Sequence, residues 1–131
     1  MISKEEVIQE QERWGNGLVF IGAAATWEES RNRAEALIQD LYVLDGSLLF
    51  CPTLASETQF RPDMEGALSY FVGQNATYAE DNGFALQPWT HVRFENTGIV
   101  EREGLTVAMG NYFFTETSGA VKKVEYTFGY I

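Results

Sequence analysis

The chain has 131 residues, 45% of them hydrophobic and 14% aromatic, which suits one domain, 1–131, around one sizeable core. Nineteen acidic against nine basic side chains leave a formal charge of −10, which argues against nucleic acid and against an anionic membrane surface as partners. No run reaches the roughly 20 apolar residues of a membrane-spanning helix, and "MISKEEVIQEQERW" is too charged for a secretory signal, so the expected compartment is the cytoplasm.

Residues 3–25 read as a long helix. Ser3 and Glu6 fit a capping box, and Val7, Gln11, Trp14, Leu18, Ile21 and Ala25 recur at helical spacing as the buried stripe. Gly15 and Gly17 each cost about 1 kcal/mol relative to Ala inside a helix. Their small size lets a sheet approach closely or leaves room beside Trp14. Thr26 and Glu29 repeat the capping signature, and a second helix runs to about Tyr42 with Ala34, Leu37, Ile38 and Leu41 inward. "LDGS" is a turn. "SLLFCPT" and "SETQFRP" read as short strands forming a hairpin or bent pair around Pro52. Asp63 caps a third helix with Met64, Ala67, Leu68 and Phe71 as its stripe and Gly73 at its end. "GQNATYAEDNG" is a loop.

After it the pattern is strand: about Trp89–Val100, Leu105–Glu116 and Val121–Ile131, joined at Glu103-Gly104 and Ser118-Gly119. Helices segregated to one face of an antiparallel sheet make an α+β domain. A strongly curved sheet wrapped around the long first helix leaves a cone with a pocket at its open end.

This order and several strings resemble the nuclear transport factor 2-like superfamily, also called SnoaL-like or cystatin-like. The strings are "LLFCPTLASETQFRPDMEGALSYFVG", "WTHVRFENTGIV", "VAMGNYFFTETSG" and "VKKVEYTFGY". Within it the chain looks most like the association domain of calcium/calmodulin-dependent protein kinase II and its small bacterial relatives. The resemblance implies one further strand pairing with 121–131, so the last strand of the usual fold is expected to be missing. It also implies three functions to choose among: small-molecule binding in an apolar pocket, metal-free isomerase, dehydratase or cyclase chemistry, or pure oligomerisation.

Residue types narrow the chemistry. One cysteine, Cys51, excludes an internal disulfide or a cysteine zinc site, and core packing is its expected role. The single histidine, His91, alternates with Val92 and Phe94 and is expected at the surface or in an interface. Neither metal nor cofactor is expected. Leu105, Val107, Met109, Asn111 and Phe113 share one face of their strand, and Glu125 and Thr127 are expected to share it on the next. If that face lines the cone, Trp14, Met109, Asn111, Glu125 and Thr127 surround the ligand, and Glu125 is the candidate general base. In the kinase association domain the positions resembling Asn111 and Thr127 carry arginines, absent here. The other face, with Tyr112, Phe114, Tyr126, Phe128 and Tyr130, is then an aromatic interface between copies, in a homodimer or larger homo-oligomer.

Overall fold

A computed structural model describes residues 1–131. Helix α1 spans Lys4–Gly22, α2 Trp27–Leu41 and α3 Met64–Val72. Strands β1 (Trp89–Arg102), β2 (Leu105–Glu116) and β3 (Val121–Tyr130) form one antiparallel sheet in the order β1-β2-β3. The α+β cone expected from the sequence is thus the observed architecture. No helix is long and apolar enough to cross a membrane.

Local chemistry explains the helix boundaries. The Ser3 hydroxyl accepts from the Glu6 N–H, and the Glu6 carboxylate accepts from the Ser3 N–H, both at 3.2 Å. Thr26 and Asp63 accept from Glu29 and Gly66 in the same way, and each such cap contributes about 1 kcal/mol. Gly73, at φ +67°, ends α3 in a conformation most side chains avoid.

The sheet bends where β1 carries a bulge between Asn96 and Gly98. Opposite it, Gly110 lies so close that a Cβ there would meet the Glu95 carbonyl oxygen at 2.0 Å. Glycine is therefore required for the strands to curl over α1. Gly15 makes the reciprocal allowance on the helix, where an added Cβ would sit 3.1 Å from Val92 of β1. Gly17 instead admits Leu37 of α2.

The concave face holds the core. Trp14, Leu18 and Ile21 of α1 pack with Ala34 and Ile38 of α2, Phe71 of α3, and Phe114 and Val124 of the sheet. A smaller cluster joins Val7, Ala108 and Tyr126.

Two sequence expectations are corrected. "SLLFCPT" and "SETQFRP" are not strands; one isolated bridge, Phe50 to Arg61, is all the ladder they form. Cys51 is exposed rather than packed in the core. The loop before β1 contains two short 3₁₀ turns, Ala76–Tyr78 and Phe84–Leu86.

Candidate active site

Alternation along the strands decides what the cone contains. The even positions Tyr112, Phe114, Tyr126, Phe128 and Tyr130 turn inward. Phe114 is fully buried and Tyr126 is 4% exposed. The expected aromatic interface between copies is therefore corrected: these rings form the inner wall of one chain. They contact each other and Trp14, whose indole stacks on Tyr112 at 5.4 Å and meets Phe114 and Phe128 edgewise or tilted at 6.1 and 6.2 Å.

The odd positions face outward, which overturns the expected lining. Met109 is 53% exposed, and Glu125 lies on the convex face beside Asn111. The Asn111 amide donates to the Val124 carbonyl at 3.3 Å, tying β2 to β3. Of the five residues expected around the pocket, Trp14 and Thr127 line the cavity, Thr127 from its exposed rim. His91 is exposed, as its alternation predicts.

The cavity holds about 110 Å³. Rings of Trp14, Phe50, Phe71, Phe84 and Phe128 wall it, and Tyr42, Tyr70, Tyr112, Thr53 and Thr127 are the hydroxyl-bearing residues of its lining. No charged side chain lines it. Its size equals the liquid share of about three or four waters at roughly 30 Å³ each. Drug-sized pockets begin near 300 Å³.

Each phenol arrives from a different element. Tyr42 follows the last turn of α2, and its hydroxyl accepts from the Trp14 indole N–H at 2.9 Å. With an acceptor site so occupied, its own proton is free to point into the cavity. Tyr70 comes from α3 and stacks on Phe84 at 5.7 Å. Tyr112 comes from the middle of β2. Burial pushes Tyr42 up to about 12, against which the Trp14 bond acts weakly. Burial also pushes Tyr70 up to about 12 and Tyr112 well above the ordinary phenol range. All three are thus neutral hydrogen-bond donors at physiological pH.

The remaining wall is the irregular segment 49–53, and a buried charge cluster anchors it. Arg61 has a fully buried guanidinium that donates to Asp81 at 2.5 and 2.8 Å, and to the carbonyls of Thr58 and Gly66 at 3.0 Å each. Ser69 donates to the same Asp81 at 2.6 Å. Glu80 accepts from the backbone N–H groups of Ser56, Glu57 and Thr58 at 2.8, 3.0 and 2.6 Å. A larger recess of about 620 Å³ lies outside this wall, but it is an open cleft. The smaller aromatic cavity is less open than this cleft and is the better place for chemistry that needs water controlled.

Deeper in the cone, Gln11 and Asn96 exchange amide bonds at 2.7 and 2.9 Å, and Tyr126 donates to Asn96. This network is saturated and pins the bulge of β1 to α1. No three His, Cys, Asp or Glu side chains converge as metal ligands.

Sequence reasoning missed Tyr42 and Tyr70. Tyr42 follows Ile38 and Leu41 on the inner stripe of α2, and Tyr70 sits three residues after Ala67 on α3. Helical spacing marks both as inward. Their convergence with Tyr112 depends on how three elements pack.

Comparison with known proteins adds a chemical class. The family model described as "Metal-independent carbonic anhydrase" matches residues 5–131. A protein of that description from Nostoc sp. (strain PCC 7120) is 36% identical over 135 residues, covering 99% of this chain. This chain spans 66% of that relative's length. A cyanobacterial iota-carbonic anhydrase solved in complex with bicarbonate is 37% identical, with a TM-score of 0.94 over 98% of this chain and 81% of that one. These matches overturn the assignment to the nuclear transport factor 2-like superfamily and the kinase association domain. The quoted strings are patterns of apolar and turn residues, and such patterns specify a cone, which many functions share.

Proposed function

Because the chain belongs to the metal-independent carbonic anhydrase family, we propose that its aromatic cavity catalyses the reversible hydration of carbon dioxide to bicarbonate and a proton. That membership overturns the expectation of an uncharacterised binding domain. It equally replaces the isomerase, dehydratase or cyclase reading through Glu125 and the pure oligomerisation module.

The observation that carries the proposal is the composition of the cavity: about 110 Å³, walled by aromatic rings, with neutral phenols and no charge. Carbon dioxide and one water are four heavy atoms, a fit to that volume. An apolar wall costs little to occupy for an uncharged, weakly hydrated gas. Larger substrates are too big for it.

Charge develops on oxygen as the reaction proceeds. Water forms a bond to the carbon of carbon dioxide, one carbon–oxygen π pair moves onto oxygen, and a proton leaves. Tyr42 and Tyr112 are the proposed donors to the oxygens that become negative. Preorganised donors in a water-poor site stabilise the charged product and the transition state more than bulk water does. Tyr42 is set for this by its bond from Trp14, which leaves its proton directed away from the indole. Bicarbonate is then recognised by hydrogen bonds rather than by a cation.

Stopped-flow hydration with a pH indicator tests the reading on the purified chain. Hydration above the buffer rate is expected, and Tyr112→Phe lowers kcat/KM about 100-fold, the loss typical of one oxyanion donor. A chain no faster than buffer, or a Y112F variant as active as the unmodified chain, would overturn it.

A further inference from the structure

The cavity and the outer cleft share a wall. Phe84 lines both, half-buried between a space of about 110 Å³ inside and one of about 620 Å³ outside. Its ring stacks on Tyr70 at 5.7 Å, meets Phe114 edgewise at 4.9 Å and lies 5.2 Å from Trp89. Tyr70 belongs to α3, and Phe114 and Trp89 belong to the sheet. The ring therefore spans the seam between helix and strands.

The backbone under Phe84 is held from three directions. Gly83, at φ +84°, starts the 3₁₀ turn, and an added Cβ there would meet the Leu86 side chain at 2.7 Å. The Trp89 indole N–H donates to the Phe84 carbonyl at 2.8 Å. Gly22, at the end of α1, lets the turn dock, since a Cβ there would lie 2.4 Å from the Ala85 carbonyl oxygen. Ala85 itself is fully buried. A ring on so fixed a backbone, packed among three other rings, is a standing wall.

Resting on the carbonic anhydrase reading, we propose that Phe84 is a specificity-determining partition, which seals the cavity from the cleft and so limits what enters to molecules about the size of carbon dioxide and one water. The lining carries no charge, so bicarbonate is met by neutral hydroxyls. Any carboxylate offers such donors the same pair of oxygen acceptors. Selection among these anions then falls to volume. With the Phe84 ring removed, the two spaces join into one recess of the size that takes drug-sized ligands. The wall also keeps the water of the open cleft away from the reacting oxygens.

The tryptophans supply reporters for the test. Trp14 lines the cavity and Trp89 the cleft, while Trp27, whose indole donates to the Val72 carbonyl, lines neither. Their indole N–H signals in nitrogen–proton correlation spectra of the full chain are followed during titration with formate and with benzoate. In the unmodified chain formate moves the Trp14 signal and benzoate does not. In Phe84→Ala benzoate moves it, with a Kd at least about 10-fold lower than in the unmodified chain, while the Kd of formate stays within about three-fold. Benzoate that moves the Trp14 signal of the unmodified chain as readily as formate overturns the partition. So does benzoate that still leaves Trp14 unmoved in F84A, even if Trp89 responds. Should F84A fail to fold, Phe84→Leu keeps an apolar side chain of smaller girth, and about three-fold tighter benzoate binding at Trp14 is expected; unchanged binding overturns the partition. Hydration is measured on the same samples. An unmodified chain no faster than buffer overturns the carbonic anhydrase reading, while the indole signals, which need no turnover, still decide the partition.

Discussion

Tyr42 in this cavity is a different reagent from tyrosine in water. The folded chain holds its proton to about 12, against 10.0 for the free side chain. The sign of the linkage follows. Stability from the neutral phenol is fully present below about 10 and is lost as pH rises through about 12. Thermal melts followed by circular dichroism fall across that window, and Tyr42→Phe makes the fall shallower. An equally steep fall in Y42F would place the effect elsewhere. Glu125 makes the opposite point. It is exposed on the convex face, opposite Asn111 in the ladder. Glu125→Gln is expected to keep hydration within about two-fold of the unmodified rate, since surface changes away from a site cost little. A hundred-fold loss would return Glu125 to the mechanism.

Among the elements, the segment between α2 and α3 is the least regular and carries one wall of the cavity. Its order comes from two side chains rather than from a ladder. Arg61 and Asp81 form a bidentate, fully buried pair, and removing either would strand the other charge at a cost of about 3–5 kcal/mol. Glu80 acts on the other side of the loop. Its carboxyl is held down to about 2, from 4.5, first by the Thr58 N–H and then by the Ser56 N–H. A depressed carboxyl stabilises above about 4.5 and loses that contribution as pH falls through about 2. Amide exchange at Ser56, Glu57 and Thr58 is therefore expected to accelerate across that acid window. Glu80→Gln moves the acceleration to neutral pH. Protection unchanged in E80Q would mean that the loop is held by Arg61 alone.

At the scale of the whole molecule, the donor set bears on how the reaction is run. There is one histidine and one cysteine, and no three acidic, imidazole or thiol groups converge. The proposed site instead supplies neutral donors from three elements. Exhaustive dialysis against a chelator is expected to leave the hydration rate unchanged, and added zinc to leave it unraised. Chelator-dependent loss, restored by a metal, would overturn the phenol-based mechanism while leaving the fold untouched.

Much of this architecture was legible in the sequence because its signals are local. Ser3, Thr26 and Asp63 announce three helix starts, and Glu103-Gly104 and Ser118-Gly119 announce two hairpins; caps and turns act within four residues. His91 could be placed outside by alternation alone. The irregular segment around Pro52 was misread as strand because short apolar runs look alike whether or not a ladder forms.

The sequence by itself determined the helices, the hairpins and the α+β class. Only the tertiary structure decided which face of the sheet is inside. Both faces of β2 carry apolar residues, so on that strand a period of two leaves the choice open, although β3 is apolar chiefly at its even positions Val124, Tyr126, Phe128 and Tyr130. The bulge at Asn96–Gly98 and the close approach at Gly110 curl the sheet toward α1 and turn Tyr112 and Phe128 inward. That one choice exchanges an expected interface for a cavity wall. It also brings Tyr42, Tyr70 and Tyr112, far apart in the chain, around a space the size of a small gas molecule and a water.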